Sequence, residues 1–85
     1  MAKWRVEQLK YDANTQIWAK KGSWEVAGET PEEALKYVFV NYLEMAQEFD
    51  EHISEAIPDL YGLTLRVDDR NWSVKPAGAG VPGRD

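Results

Sequence analysis

The sequence predicts a two-layer α+β sandwich, in which an antiparallel sheet of four or five strands packs on one long helix in the order ββ(β)αββ. The prediction rests on apolar runs bounded by turn residues at both ends of the chain and on one apolar stripe at helical spacing between them. A length of 85 residues allows one small domain. We expect residues 1–75 to form this domain and residues 76–85, rich in glycine and proline, to form a flexible tail.

The N-terminal part of the chain predicts a β-hairpin. Residues 4–9 and 17–20 are suited to strands, and they flank the turn-forming segment 12–15. Lys21 and Gly22 then interrupt the second run before it resumes. The interruption is either a bulge in one long strand or a tight turn that makes a three-stranded meander, and a usual strand length of ~5–6 residues favours the meander.

A helix start follows this β region. The Thr30 hydroxyl is suited to the N-cap, Pro31 to the first helical position, and Glu33 completes a capping box. Apolar residues then recur at intervals of three and four on one face. They are Leu35, Val38, Phe39, Tyr42, Met45, Ala46, Phe49, Ile53, Ala56 and Ile57. This spacing predicts one long helix that ends before Pro58, and Asp50 allows a kink or break near residues 49–51.

The residues after the helix predict two more strands. Between residues 63 and 67, apolar side chains alternate with polar ones, so that one face of the strand is buried and the other is wet. Residues 68–71 form a turn-like cluster, and residues 72–74 resume the alternation. The two strands complete the ββ(β)αββ order.

Aromatic side chains supply the bulk that a core needs in so short a chain. Each one removes ~150–250 Å² of surface from water when it is buried. The candidates for the core are Trp4, Trp18, Trp24, Trp72, Phe39, Phe49 and Tyr42. Strand alternation and helical spacing assign Trp4, Trp72 and Tyr42 to the interior. Tyr37 alone falls on the face of the helix opposite the apolar stripe.

Composition excludes several classes of protein. The chain has no cysteine, so it forms neither a disulfide scaffold, nor a cysteine–zinc site, nor a cysteine nucleophile. It has no apolar run near the ~20 residues that span a bilayer, and no signal-peptide pattern follows Met1. We therefore expect a cytoplasmic domain that does not contact membranes.

Catalytic groups are sparse in the sequence. His52 is the only histidine, and Glu48 and Glu55 lie within helical reach of it. A single imidazole lacks the second nitrogen ligand or the nucleophile that a metal or catalytic site requires. We predict that the chain is not an enzyme and that it uses no metal or cofactor.

The charge of the chain is concentrated in its middle third. Residues 3–27 carry a net charge of +2 and residues 61–85 a net charge of +1, whereas residues 28–60 carry −8. At about 100° per residue, the helix groups its carboxylates opposite the apolar stripe, with Tyr37 and Val40 among them. The predicted partner-binding residues are Tyr37, Val40, Glu33, Glu44, Glu48 and Glu51. This surface predicts a small interaction module, such as an inhibitor, adaptor or small subunit, whose protein partner has a basic surface.

The sequence is also compatible with a homodimer, in which a second copy of the chain is the partner.

The alternative class of partner is nucleic acid, which would bind the mildly basic sheet. Lys3, Arg5, Arg66 and Lys75 share the outward parity of the strands, but the aromatic platform that single-strand binders use is missing unless Trp18 or Trp24 faces outward. With a net charge of −5, the chain also lacks the usual basic footprint, so nucleic acid is the less favoured partner.

The segment from Gly28 to Leu35 resembles the strand-to-helix junction of HicB-type antitoxins. Such proteins place a meander before a helix of this kind and bind a small toxin, so the resemblance implies an antitoxin-type domain. In that family a Pro-Asp-Leu-Pro-Gly-like segment precedes the helix, whereas the nearest string here, residues 58–62, follows it. We interpret the similarity as convergence on a helix cap, and no functional residues are carried over.

Overall fold

The computed structural model describes residues 2–77, which form a five-stranded antiparallel sheet and two α-helices. The elements are β1 (Ala2–Asp12), β2 (Ile17–Gly28), α1 (Pro31–Asn41), α2 (Ala46–His52), a 3₁₀ turn (Ile53–Glu55), β3 (Ile57–Pro58), β4 (Leu63–Val67) and β5 (Arg70–Pro76). The strand order across the sheet is β2-β1-β5-β4-β3. The α+β class is confirmed, but the predicted order and helix length are only partly correct.

The first hairpin forms as predicted, and the interruption at Lys21 is a bulge. Gln8 pairs with Gly22 and Leu9 pairs with Lys20, so Lys21 is an extra residue on β2 without a partner on β1. The favoured three-stranded meander is therefore wrong. The reason is that β1 is long enough to pair with β2 on both sides of Lys21, which allows one continuous strand of 12 residues.

The fifth strand of the sheet is formed by residues that follow the helices, and not by a third strand in the N-terminal region. Ile57 pairs with Thr64 and Pro58 pairs with Leu63, which makes β3 a two-residue edge strand. Proline is tolerated at such an edge because its missing N–H removes no bond from the interior of the sheet. The helical region does end just before Pro58, as the sequence predicts, because Ala56 is already extended (φ −64°, ψ 142°).

The prediction of one long helix with a possible kink is only partly correct. α1 ends at Asn41, residues 42–45 form a bend, and α2 begins at Ala46, so the break lies well before the expected position at residues 49–51. Glu44 takes a left-handed backbone conformation (φ 56°), and the Met45 N–H donates to the Phe39 carbonyl at 2.8 Å. The bend folds α2 back, and Phe49 packs edge-on to Phe39 with ring centroids 5.6 Å apart.

The cap of α1 forms close to the predicted pattern. The Glu33 N–H donates to the Thr30 hydroxyl oxygen at 3.1 Å. The Glu33 carboxylate accepts from the Glu29 N–H at 2.9 Å, one residue before the cap, and Pro31 occupies the first turn. Two backbone N–H groups at the helix start are thereby satisfied.

The core lies between the helices and one face of the sheet. Its buried members are Trp4, Val6, Val26, Ala34, Leu35, Val38, Phe39, Phe49, Leu63, Leu65, Trp72 and Val74. The assignments of Trp4 and Trp72 are correct, and the Trp4 indole N–H donates to the Gly28 carbonyl at 3.0 Å. Tyr42 is wrong, because it caps the end of α1 and remains 53% exposed.

The helices cover only one face of the sheet. α1 packs on β1, β2 and β5, and the 3₁₀ turn packs on β4. We call the uncovered side the open face. Register places on it Lys3, Arg5, Glu7, Leu9, Tyr11, Trp18, Lys20, Ser23, Glu25, Ala27, Thr64, Arg66, Asn71, Ser73 and Lys75.

The C-terminal part of the described chain continues the sheet. Pro76 is the last residue of β5, and the Ala77 N–H donates to the Lys3 carbonyl at 3.0 Å. The rest of the predicted tail, residues 78–85, lies outside the described residues. Among residues 2–77, no helix is long and apolar enough to cross a membrane.

Candidate functional site

Tyr37 and Val40 lie on the solvent side of α1. Tyr37 is 48% exposed and Val40 is 41% exposed, although Leu35 and Val38 on the opposite side are fully buried. A shallow groove runs along this side toward the edge of β2. It is lined by Ala27, Glu33, Lys36, Tyr37, Val40 and Asn41. We call the α1 residues of this groove, from Glu33 to Asn41, the α1 outer face.

The structure brings together only part of the predicted acidic site. Glu33 lines the groove with Tyr37 and Val40, but its carboxylate is engaged at the helix cap. Glu44 lies in the bend, and Glu48 and Glu51 lie on α2, outside the groove. Lys36 is also on the α1 outer face. The centre of the site is therefore more apolar, and its charge more mixed, than one continuous helix would make it.

Tyr42 and Trp24 extend this surface, and the sequence prediction missed them. The Trp24 and Tyr42 rings are stacked with centroids 6.2 Å apart, and the Tyr37 and Tyr42 centroids are 5.9 Å apart. The three rings form a row from β2 to α1. Asparagine at the end of a helical pattern is a stop signal, so Asn41 was the residue that could have indicated the break and the exposure of Tyr42. Its side chain donates to the Tyr37 carbonyl at 3.0 Å.

A separate aromatic cluster lies on the open face. The Tyr11 and Trp18 ring centroids are 5.3 Å apart, and the Arg66 guanidinium carbon lies 5.0 Å from the centroid of the Trp18 ring. Both aromatic residues are half-buried. The bulge at Lys21 is responsible, because it shifts the alternation of β2 and places Trp18 opposite Tyr11 rather than on the helix side. Trp18 therefore faces outward, as the alternative function requires, and both Tyr11 and Arg66 lie against it.

Charges on the open face are partly paired. Arg5 donates to Glu25 at 2.8 Å, and this hydrogen bond lowers the pKa of Glu25 and raises that of Arg5. Lys20 lies 3.5 Å from Glu7. Within residues 2–77, Lys3 and Lys75 form no ion pair and Arg66 contacts Trp18. The open face thus keeps an excess of positive charge although the chain is acidic.

The remaining titratable groups show ordinary structural contacts. His52 Nδ1 lies 3.7 Å from Glu55 Oε2 and forms no hydrogen bond. In the described part of the chain, no three potential metal-ligating side chains cluster. The Asp59 carboxylate accepts the Tyr61 and Gly62 N–H groups at 2.9 and 2.6 Å, and these bonds lower its pKa. This interaction closes the loop between β3 and β4.

Two surfaces therefore have features suited to binding, the α1 outer face with its aromatic row and the open face with its cation–aromatic cluster. Their chemistry differs: the first is apolar with carboxylates nearby, and the second is aromatic and basic. The chain matches no protein-family model, and no curated protein or solved structure shows significant similarity to it.

Proposed function

We propose that this chain is a small, acidic, non-enzymatic interaction module that binds a protein partner through the α1 outer face. The observation that carries the proposal is the exposure of Tyr37 and Val40 on a helix whose other side is fully buried. Large side chains that the folded domain leaves exposed gain most from burial against a partner, and tyrosine is enriched at the energetic centres of interfaces.

Carboxylates around this centre favour a partner with a basic surface. Glu33 lies in the groove, and Glu44, Glu48 and Glu51 follow on the bend and on α2. Exposed charges of this kind set encounter rate and partner choice more than affinity. An inhibitor, an adaptor or a small subunit of a larger assembly would use such a surface, and we expect it to act in the cytoplasm without a cofactor.

The test compares two variants of the chain in binding to a partner captured from the native host and then purified. The double variant Tyr37→Ala, Val40→Ser should lose about 2 kcal/mol or more of binding free energy, roughly a 30-fold rise in Kd. Leu60→Ser is the matched control, because Leu60 is 82% exposed and lies in the loop between β3 and β4. Circular dichroism should show unchanged folds. Equal affinities for the double variant and the control would refute the α1 outer face as the site.

A second candidate function is the binding of single-stranded nucleic acid on the open face, as in an antitoxin-type or other nucleic-acid-binding domain. The contact of Arg66 with Trp18, beside Tyr11, favours it. Bases stack on aromatic rings with ~1–3 kcal/mol each, and a nearby guanidinium adds attraction to the backbone.

This candidate predicts binding of a labelled oligonucleotide that weakens steeply with salt. Trp18→Ala should abolish stacking, while Arg5→Ala and Arg66→Ala should reduce the salt slope. The Tyr37→Ala, Val40→Ser variant should bind as the wild type does, since its changes lie on the other side of the sheet. If no oligonucleotide binds at low salt, the open face is not a nucleic-acid site.

A further inference from the structure

β2 is a long strand at the edge of the sheet. It pairs with β1 on one side over residues 17–28, and no strand of the described chain pairs with its other side. An edge of this length presents a row of unpaired N–H and C=O groups to any strand that can reach it. Ile17 on β2 and Tyr37, Val40 and Tyr42 beside it are all exposed apolar residues.

We infer that the edge of β2 pairs with β2 of a second copy of this chain, in an antiparallel arrangement with the two-fold axis at Ser23. The inference goes beyond the proposed function, since it concerns the free edge of β2 and names a second copy of the chain as the strand that pairs with it. Antiparallel pairing of two identical edges makes one ten-stranded sheet from two five-stranded ones.

The bulge at Lys21 determines in which register of the two β2 strands all opposite residues point to the same face. Residues opposite one another in a sheet must point to the same face. With Ser23 on the axis, Gly22 lies opposite Trp24 of the second copy. Lys21 stays unpaired. Beyond it, residues 20, 19, 18 and 17 lie opposite residues 25, 26, 27 and 28 of the second copy. All of these pairs have matching faces, because the bulge shifts the alternation of residues 17–20 relative to 22–28.

Charge complementarity supports the same register. It places Lys20 opposite Glu25 of the second copy, and both side chains lie on the open face. Within one chain, Glu25 already pairs with Arg5 and Lys20 with Glu7. Across the axis these become a row of alternating charges, in the order Arg5, Glu25, then Lys20 and Glu7 of the second copy. The two-fold axis repeats the row, and opposite charges facing each other across strands are stabilising.

The helix side of the same edge supplies apolar surface. α1 packs on β2, so the α1 helices of both copies lie on one side of the joined sheet. The aromatic row of Trp24, Tyr42 and Tyr37 begins on β2 next to the axis. Gly22 has no side chain, and the Trp24 ring fills the space that one would occupy, 2.6 Å from the position of a Cβ. Pairing of β2 therefore shields side chains that the single chain leaves exposed.

The test is the mass of the full chain in solution, measured by sedimentation equilibrium over a concentration series. We expect twice the monomer mass for the wild type. Lys20→Glu and Glu25→Lys should each raise the dimer dissociation constant by about tenfold or more, because each places like charges opposite one another. Mixed in equal amounts, the two variants should form a heterodimer, since a carboxylate of the first variant then faces an ammonium group of the second at both of these cross-strand pairs.

Glu55→Lys is the control, since it makes the same change of charge as Glu25→Lys in the 3₁₀ turn, which packs on β4 at the other end of the sheet from β2, and it should leave the dimer intact. Amide hydrogen exchange of the wild type gives a second measurement, in which the outer amides of β2 become protected as concentration rises. A wild type that remains a monomer at high concentration overturns the inference, as does a dimer that both charge reversals leave unchanged or a mixture that fails to associate. A monomer whose captured partner still depends on Tyr37 and Val40 would leave the proposed function standing, so the two failures are distinguishable.

Discussion

The guanidinium of Arg66 lies 5.0 Å from the centroid of the Trp18 ring, although two strands separate them in the sheet. Arg66 is on β4 and Trp18 on β2, so their side chains meet across β5 and β1. The contact joins the two halves of the open face. It also explains how the tryptophan stays half-buried on a face that no helix of the described chain covers.

Loss of the Arg66 side chain should cost stability through this contact. We expect Arg66→Ala to lower the free energy of unfolding by about 0.5–1 kcal/mol, the usual range of an exposed cation–π pair. A double-mutant cycle with Trp18→Leu, measured by urea denaturation, isolates the interaction from other effects of each change. A coupling energy near zero would mean that the contact contributes nothing in solution.

The cap of α1 offers a prediction about local stability. Thr30→Ala removes the hydroxyl that accepts the Glu33 N–H, so it should destabilise the domain by ~1 kcal/mol. Thr30→Ser keeps the hydroxyl and serves as the control. The midpoint of urea unfolding should fall for the alanine variant alone, and equal midpoints for both variants would contradict the prediction.

Two glycines should respond differently to the same substitution. A Cβ on Gly62 would overlap the carbonyl oxygen of Val74, which is backbone in the middle of β5. A Cβ on Gly22 would instead meet the far end of the Trp24 side chain, which can rotate away. We expect Gly62→Ala to cost about 1–3 kcal/mol or more and Gly22→Ala to cost less. Thermal unfolding of the two variants side by side tests this order, and the reverse order would be evidence against the close approach at Gly62.

The loop carboxylate of Asp59 makes stability depend on pH. The Gly62 and Tyr61 N–H groups lower its folded-state pKa, so its contribution is fully present above the unfolded value of ~3.9. The contribution is lost as pH falls through the folded-state pKa. Asp59→Asn should therefore be less stable than the wild type near neutral pH, and the difference should shrink in acid. A difference that stays constant from neutral pH into acid would show that the carboxylate charge is not involved.

Local signals predicted the parts of the fold that depend on neighbouring residues. The Thr30 cap, the turn after Asp12 and the alternation from Leu63 to Val67 each follow from a few adjacent side chains, and all three are present. The helix length was not predictable in this way. The apolar stripe continues through Met45 and Phe49 because both still face the core after the bend, so periodicity alone does not reveal the break.

The candidate site was predicted in part for the same reason. Tyr37 and Val40 are exposed where helical spacing placed them, because α1 is regular at these positions. Glu48 and Glu51 belong to another helix, and Tyr42 is exposed, because the bend at Glu44 changes the direction of the chain. The position of Trp18 depends on the register of β2 against β1, which shifts between Gln8 and Leu9 and which no pattern within residues 17–28 reveals.

The face of the sheet on which Trp18 lies depends on the bulge at Lys21, where one residue of β2 has no partner on β1. It is therefore set by how the two strands are paired, and not by which residues they contain. Removal of Lys21 would abolish the bulge and leave Trp18 on the open face, whereas insertion of one residue in β1 opposite Lys21 would pair Lys21 and turn Trp18 toward the helices and Ala19 outward. Composition would hardly change, yet the open face would lose its tryptophan. A single insertion opposite a bulge is therefore a route by which a small sheet exchanges one binding surface for another during evolution.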